Sequence, residues 1–556
     1  MQGLQSAISL MTKNCFMASI DFCDAYYSIP IKNEDRKYFR FIFKNQKYQY
    51  NCLPNGYSLG PYKFTKVSKM LFKHLKDKGH LNTNYIDDSF LSSITYDECI
   101  NNIHDTLTIA RKAGFVIHPE KSVIVPTHVI EYLGFILNSI DMTVRLTPRK
   151  IDDICEKIRN VIKKPRNSIQ EISELVGKLV ATFPGVKFGK LYYRQLDNEK
   201  TAALKLKKGN YEAEMKISDL AKKDLHWWLE KLPTSHANIT LINPDITLYT
   251  DASNFAWGGH FENKKTGGQW HDSETQCHIN EKELLAVLFS LNSLCKNKHN
   301  IHIKIMSDNS TTVHYINNMG GRKLDCNTVA RKIWEWAIER NIWLSCSYIP
   351  GKDNCEADRL SRTLHSNVEW RLDTCIFKVI CEEFGPINFD LFASRLTNQV
   401  SRYASWMPDP GAELCDAMSF DWKSVKGYAF PPFSMVGKVL QKIECDKCTI
   451  VLVVPQFRSQ PWFPKMLHML VDFPLLIRRT QRMLTNPVNP QETPIRSPLM
   501  VCRVSGLINN TLEFQKQLPT YCAADGAMEP KNNMQSILDS GKCFVIKDKL
   551  ISCRLI

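Results

Sequence analysis

No stretch of this sequence is long and apolar enough to cross a bilayer; the most hydrophobic run, TIVLVVP at 449–455, has the length of one buried strand. The first residues, MQGLQSAISLMTKNC, lack a basic segment leading into an apolar one, which argues against a secretory leader. Repeats of solenoid period and low-complexity tracts are missing too, so repeat architectures and disordered arrays are not expected. What the cysteines lack is a frame. All 19 are scattered, which excludes a disulfide scaffold and suits reduced thiols in the cytoplasm or nucleus. Cys445 and Cys448 make one close pair, and without a second pair at zinc spacing no zinc site is expected. Acidic charge is in deficit: 57 Asp and Glu stand against 72 Lys and Arg, a formal net charge of +15. That balance favours polyanionic partners, nucleic acid before an anionic membrane surface.

What remains is ordinary globular material, 44% hydrophobic and too long at 556 residues for one core. The patterning predicts a multidomain α/β and α+β protein. Residues 1–140 mix short strands and helices, and 141–239 turn helical and Lys-rich, with periodic stretches such as IDDICEKIRNVIKK. Ser168 followed by Glu171 predicts a capping box there. A new α/β pattern fills 240–365, a segment rich in Trp, Pro and Phe fills 366–480, and a polar tail is expected over 481–556.

The stretch NYIDDSF at 84–90 reads as strand, turn, strand, with Asp87 and Asp88 at its tip. Acidic residues are common in such turns. The apolar run MASIDFCDAYYSIPI, however, places Asp21 at the end of another strand. Nucleotidyl transfer uses two divalent cations about 4 Å apart, held by carboxylates that converge from different strands. Asp21, Asp87 and Asp88 could supply them.

Here the sequence resembles the reverse transcriptases. Asp21-Phe-Cys-Asp24-Ala-Tyr-Tyr is similar to their first palm motif, LPNGYSLGPYKFTKV at 53–67 to the motif beneath template and nucleotide, and Tyr85-Ile-Asp-Asp88 to their Y-x-D-D. AGFVIHPEKS and EYLGF follow in the family's order. The resemblance implies that Asp21 and Asp87 are the principal metal ligands, with Asp88 close by. It puts Tyr26 under the sugar of the incoming nucleotide, where a ring would exclude a ribose 2′-hydroxyl and favour deoxynucleoside triphosphates. Gly56 would let backbone approach the nucleotide, and Asn55 stands where many relatives carry Gln. Lys121 is a candidate to protonate or neutralise the pyrophosphate; the alternative is a solvated lysine after a turn. As core filler, Tyr27 is the stronger candidate of the Tyr26-Tyr27 pair.

Four more acids recur at 240–365. Asp251 ends the strand ITLYTD, Asp308 ends IHIKIMSD, Glu283 lies early in a helix, and Asp358 opens another. Each has a structural alternative: Glu283 could complete a capping box from Asn280, Asp308 could cap the next helix, and Asp358 could favour a helix dipole. Together TDASNFAWGG, INEKELLA, MSDNSTTV and YIPGKDNCEADRLSR resemble the ribonuclease H fold of retroelements. That resemblance implies two-metal cleavage of RNA in RNA–DNA hybrids, with Asp251, Glu283, Asp308 and Asp358 as ligands and Glu283, rather than Glu281, as the matching glutamate. Tyr348 stands where cellular relatives carry a histidine, which implies slower turnover.

Residues 366–480 resemble the domain that follows ribonuclease H in DIRS-type retrotransposons, itself likened to adenine-N6 methyltransferases. Phe430-Pro431-Pro432-Phe433 lacks the acid or amide of the methyltransferase motif, so an inactive domain is expected. Only 20 residues precede Asp21, whereas relatives of the resembled family place a whole fingers subdomain there; the expectation is that either Met1 is an internal start or the copy is N-terminally truncated. The expectation is therefore a palm with incomplete fingers (1–140), a helical thumb and connection (141–239), a ribonuclease H-like domain (240–365), the DIRS-type domain and the tail. Its cofactor would be Mg²⁺, two per site, with Mn²⁺ as substitute, and its partners an RNA template, a DNA primer and the hybrid, with no membrane. The alternative is an impaired relic that binds nucleic acid and keeps at most the nuclease.

Overall fold

The computed structural model describes residues 3–239, 243–362, 370–478, 483–487, 497–520 and 542–556. They fall into two compact units, Met1–Ile242 and Asn243–Ile556.

In the first unit, helix α1 (Leu4–Leu10) leads into β1 (Phe16–Cys23), an apolar strand whose Met17, Ala18, Ile20 and Phe22 are buried. An exposed hairpin, β2 (Arg40–Phe43) and β3 (Gln46–Gln49), precedes helix α2 (Gly60–Asp77). Then come β4 (Leu81–Tyr85), β5 (Asp88–Ser93), α3 (Tyr96–Lys112), β6 (Val116–Ile117) and β7 (Val123–Thr127). They build a sheet in the order β4-β5-β1-β6, with β7 also paired to β1. Thr95 and Glu98 close a capping box on α3, which fixes where that helix starts. Phe64, Phe72 and Leu75 of α2 and Cys99 and Ile103 of α3 join Ile20, Phe22 and Leu91 of the sheet in one apolar cluster.

A second sheet is made of β8 (Val129–Tyr132), β9 (Phe135–Asn138), β10 (Thr143–Leu146) and β11 (Ala237–Asn238), in the order β11-β10-β9-β8. Against it pack α4 (Pro148–Lys163), α5 (Ile169–Ala181) and α6 (Asp219–Lys231). The Ser168–Glu171 box is present on α5. The boundary expected after residue 140 is corrected here: it falls inside the β9–β10 hairpin, where Asn138 pairs with Thr143. Met17, Leu137, Ile158, Leu175 and Trp228 share one buried cluster, so a break there would expose a common core.

The second unit opens with β12 (Ile246–Ala252), β13 (Ala256–Phe261) and β14 (Lys264–Gln269), which run antiparallel. After α7 (Asp272–Thr275) and α8 (Ile279–Leu294) come β15 (His302–Ser307), α9 (Ser310–Asn317), α10 (Leu324–Glu339), β16 (Trp343–Tyr348) and α11 (Cys355–Arg362). The sheet order is β14-β13-β12-β15-β16, with β12, β15 and β16 parallel. Gly258 and Gly259 lie inside β13. A Cβ on Gly259 would stand 2.1 Å from the Ser290 hydroxyl of α8, so the glycine permits the helix to press on the sheet.

The remaining chain forms α12 (Thr374–Phe384), β17 (Phe389–Asp390), β18 (Gly427–Ala429), α13 (Val436–Asp446), β19 (Thr449–Pro455), β20 (Leu475–Ile477), β21 (Leu499–Ser505) and β22 (Arg554–Leu555). The sheet order is β17-β18-β19-β21-β20-β22. The run TIVLVVP is its central strand. Ile450, Leu452 and Val454 enter one apolar cluster and Val451 and Val453 another, as expected of a strand covered on both faces. The polar tail expected from 481 is corrected by β21, which pairs along all of β19 from Thr449–Ser505 to Pro455–Leu499. LMVCRVS is apolar enough to be core, and the sequence between the two strands concealed that they pair. Part of that tail lies outside the described residues.

Candidate active sites

In the first unit, sheet register brings two of the acids together. Asp21 of β1 stands opposite Asp88 of β5, and the β4–β5 hairpin closes with Tyr85 opposite Asp88, leaving Ile86 and Asp87 as its two-residue tip. Such tight hairpins need a positive φ at the first tip residue. Ile86 supplies it at φ 55°, a costly conformation for a β-branched residue, about 1–2 kcal/mol. Strain is thus stored at the acidic tip. Burial, the charges of Asp87 and Asp21, and a hydrogen bond with Asp21 push the Asp88 carboxyl up to about 6. The Lys121 charge pulls it the other way.

Tyr26 lies half-buried on a short turn after β1, its ring edge-on to Phe64 at 5.9 Å, and burial first, then the Asp87 charge, raise its phenol pKa. Tyr27 is 42% exposed. Its expected role as core filler is therefore corrected: its hydroxyl accepts from Asn55 Nδ2 at 3.4 Å, tying the turn after β1 to the loop ahead of α2. Gly56 in that loop has φ 88°. Two residues were missed. Ser122 Oγ accepts from the Asp21 amide at 3.0 Å and donates to the His118 carbonyl at 2.7 Å, so the loop carrying Lys121 is fastened to the metal-ligand candidate. Tyr132 donates to the Asp88 carbonyl at 3.4 Å from below. Serine in AGFVIHPEKS and tyrosine in EYLGF were the available signals.

In the second unit, Asp251 ends β12, Glu283 lies on α8, and Asp308 follows β15. Among the described residues this is the one group of three or more potential ligand side chains whose atoms all lie within 4.8 Å of one another. Asp21, Asp87 and Asp88 do not form such a group. The capping alternatives are corrected by neighbouring residues. His278, not Asn280, caps α8, and Asn309 caps α9 by accepting from the Thr311 and Thr312 amides, so Glu283 and Asp308 have no capping role.

Glu283 is 4% exposed, and its Oε2 has no hydrogen-bond partner. Burial first, then the Asp251 and Asp308 charges, push its carboxyl up to about 9. Asp251 and Asp308 are raised mainly by burial as well, and Ser361 Oγ donates to Asp251 Oδ2 at 2.5 Å. Asp358 lines the same cavity, together with Asn254, Phe255 and Ile279. It is held at 2.7 Å by Arg362 four residues on, outside the close group. Tyr348 is exposed at the end of β16. Around Cys445 and Cys448 no ligand group forms among the described residues.

Residues 2–137 match the family model for reverse transcriptase (RNA-dependent DNA polymerase). The chain carries a reverse transcriptase domain of the kind found in viral and retroelement polyproteins. The chain is 23% identical over 384 residues to a polyprotein of Cassava vein mosaic virus, covering 64% of this chain and 54% of the relative. It is 21% identical over 380 residues to the enzymatic polyprotein of Figwort mosaic virus (strain DxS), covering 66% and 53%. The chain thus spans about half the length of the curated relatives it matches. A foamy viral protease-reverse transcriptase solved with an RNA/DNA hybrid is similar at 16% identity and a TM-score of 0.38, over 62% of this chain and 46% of that one. The acids Asp21, Asp87 and Asp88 lie inside the reverse transcriptase domain; Asp251, Glu283 and Asp308 lie outside it.

Proposed function

We propose that the chain is the reverse transcriptase and ribonuclease H portion of a DIRS-type retrotransposon polyprotein. It would copy RNA into DNA from a primer with deoxynucleoside triphosphates and hydrolyse the RNA strand of the resulting hybrid. The carrying observation is a second acid cluster, Asp251, Glu283 and Asp308, in the same chain as a reverse transcriptase domain. A polymerase that copies RNA leaves a hybrid, and a nuclease beside it removes the template. Alignment to viral polyproteins over 384 residues, well beyond residues 2–137, supports reading both activities together. Free thiols at every described cysteine suit action inside the cell. In this reading the β1–β7 sheet with α2 and α3 supplies the palm and partial fingers, the β8–β11 sheet with α4, α5 and α6 the thumb and connection, and residues 243–362 the ribonuclease H-like domain.

The residues fit a divalent cation. An orphaned buried oxygen on Glu283, in an all-carboxylate set that repels itself, calls for a positive charge, and oxygen donors select a hard ion such as Mg²⁺ or Mn²⁺. Asp251, Glu283 and Asp308 would hold it, with Asp358 at the rim; Asp21, Asp87 and Asp88 would do so in the polymerase site. A bound cation supplies charge neutralisation and an acidified attacking oxygen. The rest is done by side chains. Tyr26 excludes a 2′-hydroxyl by volume, Gly56 admits the nucleotide against the backbone, Asn55 steadies that loop through Tyr27, and Lys121 neutralises the departing pyrophosphate.

Primer extension on an RNA template tests the first activity, and RNA release from a hybrid tests the second. Asp87→Asn should abolish extension and spare RNA release; Asp308→Asn should do the reverse. Equal activity of either variant and the parent in its own assay overturns that site's assignment. A second reading, a relic that retains only the nuclease, is favoured by the looser grouping of Asp21, Asp87 and Asp88. RNA release without any extension would select it.

A further inference from the structure

We infer that the C-terminal domain, which carries the β17–β22 sheet, is a working part of the nuclease site, with Arg395 as a positioning residue for Glu283. The inference rests on the nuclease reading above. Arg395 reaches from the C-terminal domain to α7 and binds Glu274 with both terminal nitrogens: Nη1 donates to Oε1 at 2.7 Å and to Oε2 at 3.0 Å, and Nη2 donates to Oε2 at 3.0 Å. Nη2 also donates to the Gln269 carbonyl at 2.7 Å, at the end of edge strand β14. The guanidinium lies 4.5 Å over the Phe289 ring of α8. Both partners are only 19% exposed. A shielded bidentate pair stacked on an aromatic ring is a directional contact, unlike a loose surface pair.

The base of this arm is fixed as well. The Arg395 amide donates to Asp409 Oδ2 at 3.0 Å, and Tyr403 and Gly411 hold Asp409 Oδ1 at 2.6 and 3.1 Å. Two flanking bonds seal the contact: Thr266 of β14 donates to the Pro408 carbonyl at 2.7 Å, and Lys296 donates to the Ala412 carbonyl at 2.9 Å. A sheet edge that would otherwise be open is thereby covered.

From Glu274 the connection to the acids is short. Glu274 accepts from the His271 amide at 2.8 Å and so shapes α7. The last residue of α7, Thr275, accepts through its carbonyl from Lys282 Nζ at 3.0 Å, and the same ammonium donates to the Asn254 carbonyl at 3.3 Å. Lys282 is 3% exposed and precedes Glu283. One buried ammonium therefore ties α7, the loop after Asp251 and the start of α8 into a single frame, and Arg395 fastens that frame from outside. Loss of the clamp frees α7 and loosens the spacing of Glu283 from Asp251.

The test uses the full chain with Arg395→Ala, Arg395→Lys and the exchanged pair Arg395→Glu with Glu274→Arg. For Arg395→Ala, the Mg²⁺ concentration giving half-maximal hybrid cleavage should rise roughly ten-fold, the low end of what outer partners of metal ligands cost, while turnover at saturating Mg²⁺ stays near the parent's. Arg395→Lys should fall between, and the exchanged pair should recover most of the loss. Amide hydrogen exchange over residues 272–283 should accelerate in Arg395→Ala and return in the exchanged pair. Unchanged Mg²⁺ dependence overturns the positioning role, whatever the exchange shows. If the parent cleaves no hybrid, the nuclease reading fails by itself, and unchanged hydrogen exchange in Arg395→Ala would then overturn the clamp independently.

Discussion

The two acid clusters solve the same electrostatic problem in different ways. In the first unit, Asp21 and Asp88 meet through strand register, and Asp87 rides on a strained two-residue tip. In the second, acids from two strand ends and one helix converge within 4.8 Å, two of them, Asp251 and Glu283, buried. A hairpin tip can move while its sheet stays intact; a helix packed against a sheet cannot. The Asp251, Glu283 and Asp308 cluster is thus preorganised by packing, whereas Asp21, Asp87 and Asp88 are gathered at a hairpin tip and the strand beside it.

The sharpest way to break this comparison is Glu283→Gln. It should lower hybrid cleavage at least about a hundred-fold, beyond the cost of losing an outer partner, yet raise the metal-free melting temperature, because an isosteric amide removes a buried carboxyl that has no partner for Oε2. Calorimetry in chelator against cleavage in Mg²⁺ reads both. Next in size, Tyr26→Ala should raise ribonucleotide incorporation in primer extension at least about ten-fold, the scale on which roughly 1.4 kcal/mol of steric exclusion acts, with RNA release unchanged.

A third buried acid sharpens the comparison as a control. Asp390 accepts from the Phe392 and Gln399 amides, and burial still pushes it up to about 7. Because its folded pKa lies above the unfolded value, its stabilising contribution is complete below about 4 and is lost as pH rises through about 7. Thermal melts of the parent should therefore decline between pH 5 and 8, and Asp390→Asn should flatten that slope without added metal. Ile86→Gly should change stability by less than about 1 kcal/mol, since relief of the positive φ offsets lost side-chain contact and added chain entropy; a several-fold larger loss on denaturant titration would show the tip to be unstrained. Of comparable size, Ser122→Ala should cost about 1 kcal/mol by removing the acceptor of the Asp21 amide, and should slow primer extension several-fold while sparing RNA release.

Part of this framework was legible in the sequence: β-formers around Asp87 and Asp88 predict the hairpin that carries them, and the capping box at Ser168 stands where two residue types at fixed spacing predict it. The ligand roles of Asp21, Asp87 and Asp88 are implied by motif resemblance, since turn position by itself is equally suited to an ordinary acidic turn. Tyr27 was misread because an aromatic pair after a strand resembles core, and nothing local says which ring faces solvent. The roles of Ser122 and Arg395 were invisible for a related reason: Ser122 holds a residue 101 positions away and Arg395 one 121 away, and sequence carries no period at such distances.

The sequence by itself determined the apolar strands, the acids at their ends and the basic balance that favours nucleic acid, because those depend on residue type and near neighbours. Only the tertiary structure decided which acids close into a group, that β19 takes its partner from beyond residue 481, and that Asp358 is held by Arg362. Those outcomes depend on distances between chain segments far apart in sequence, where burial and charge, rather than local propensity, set the free energy.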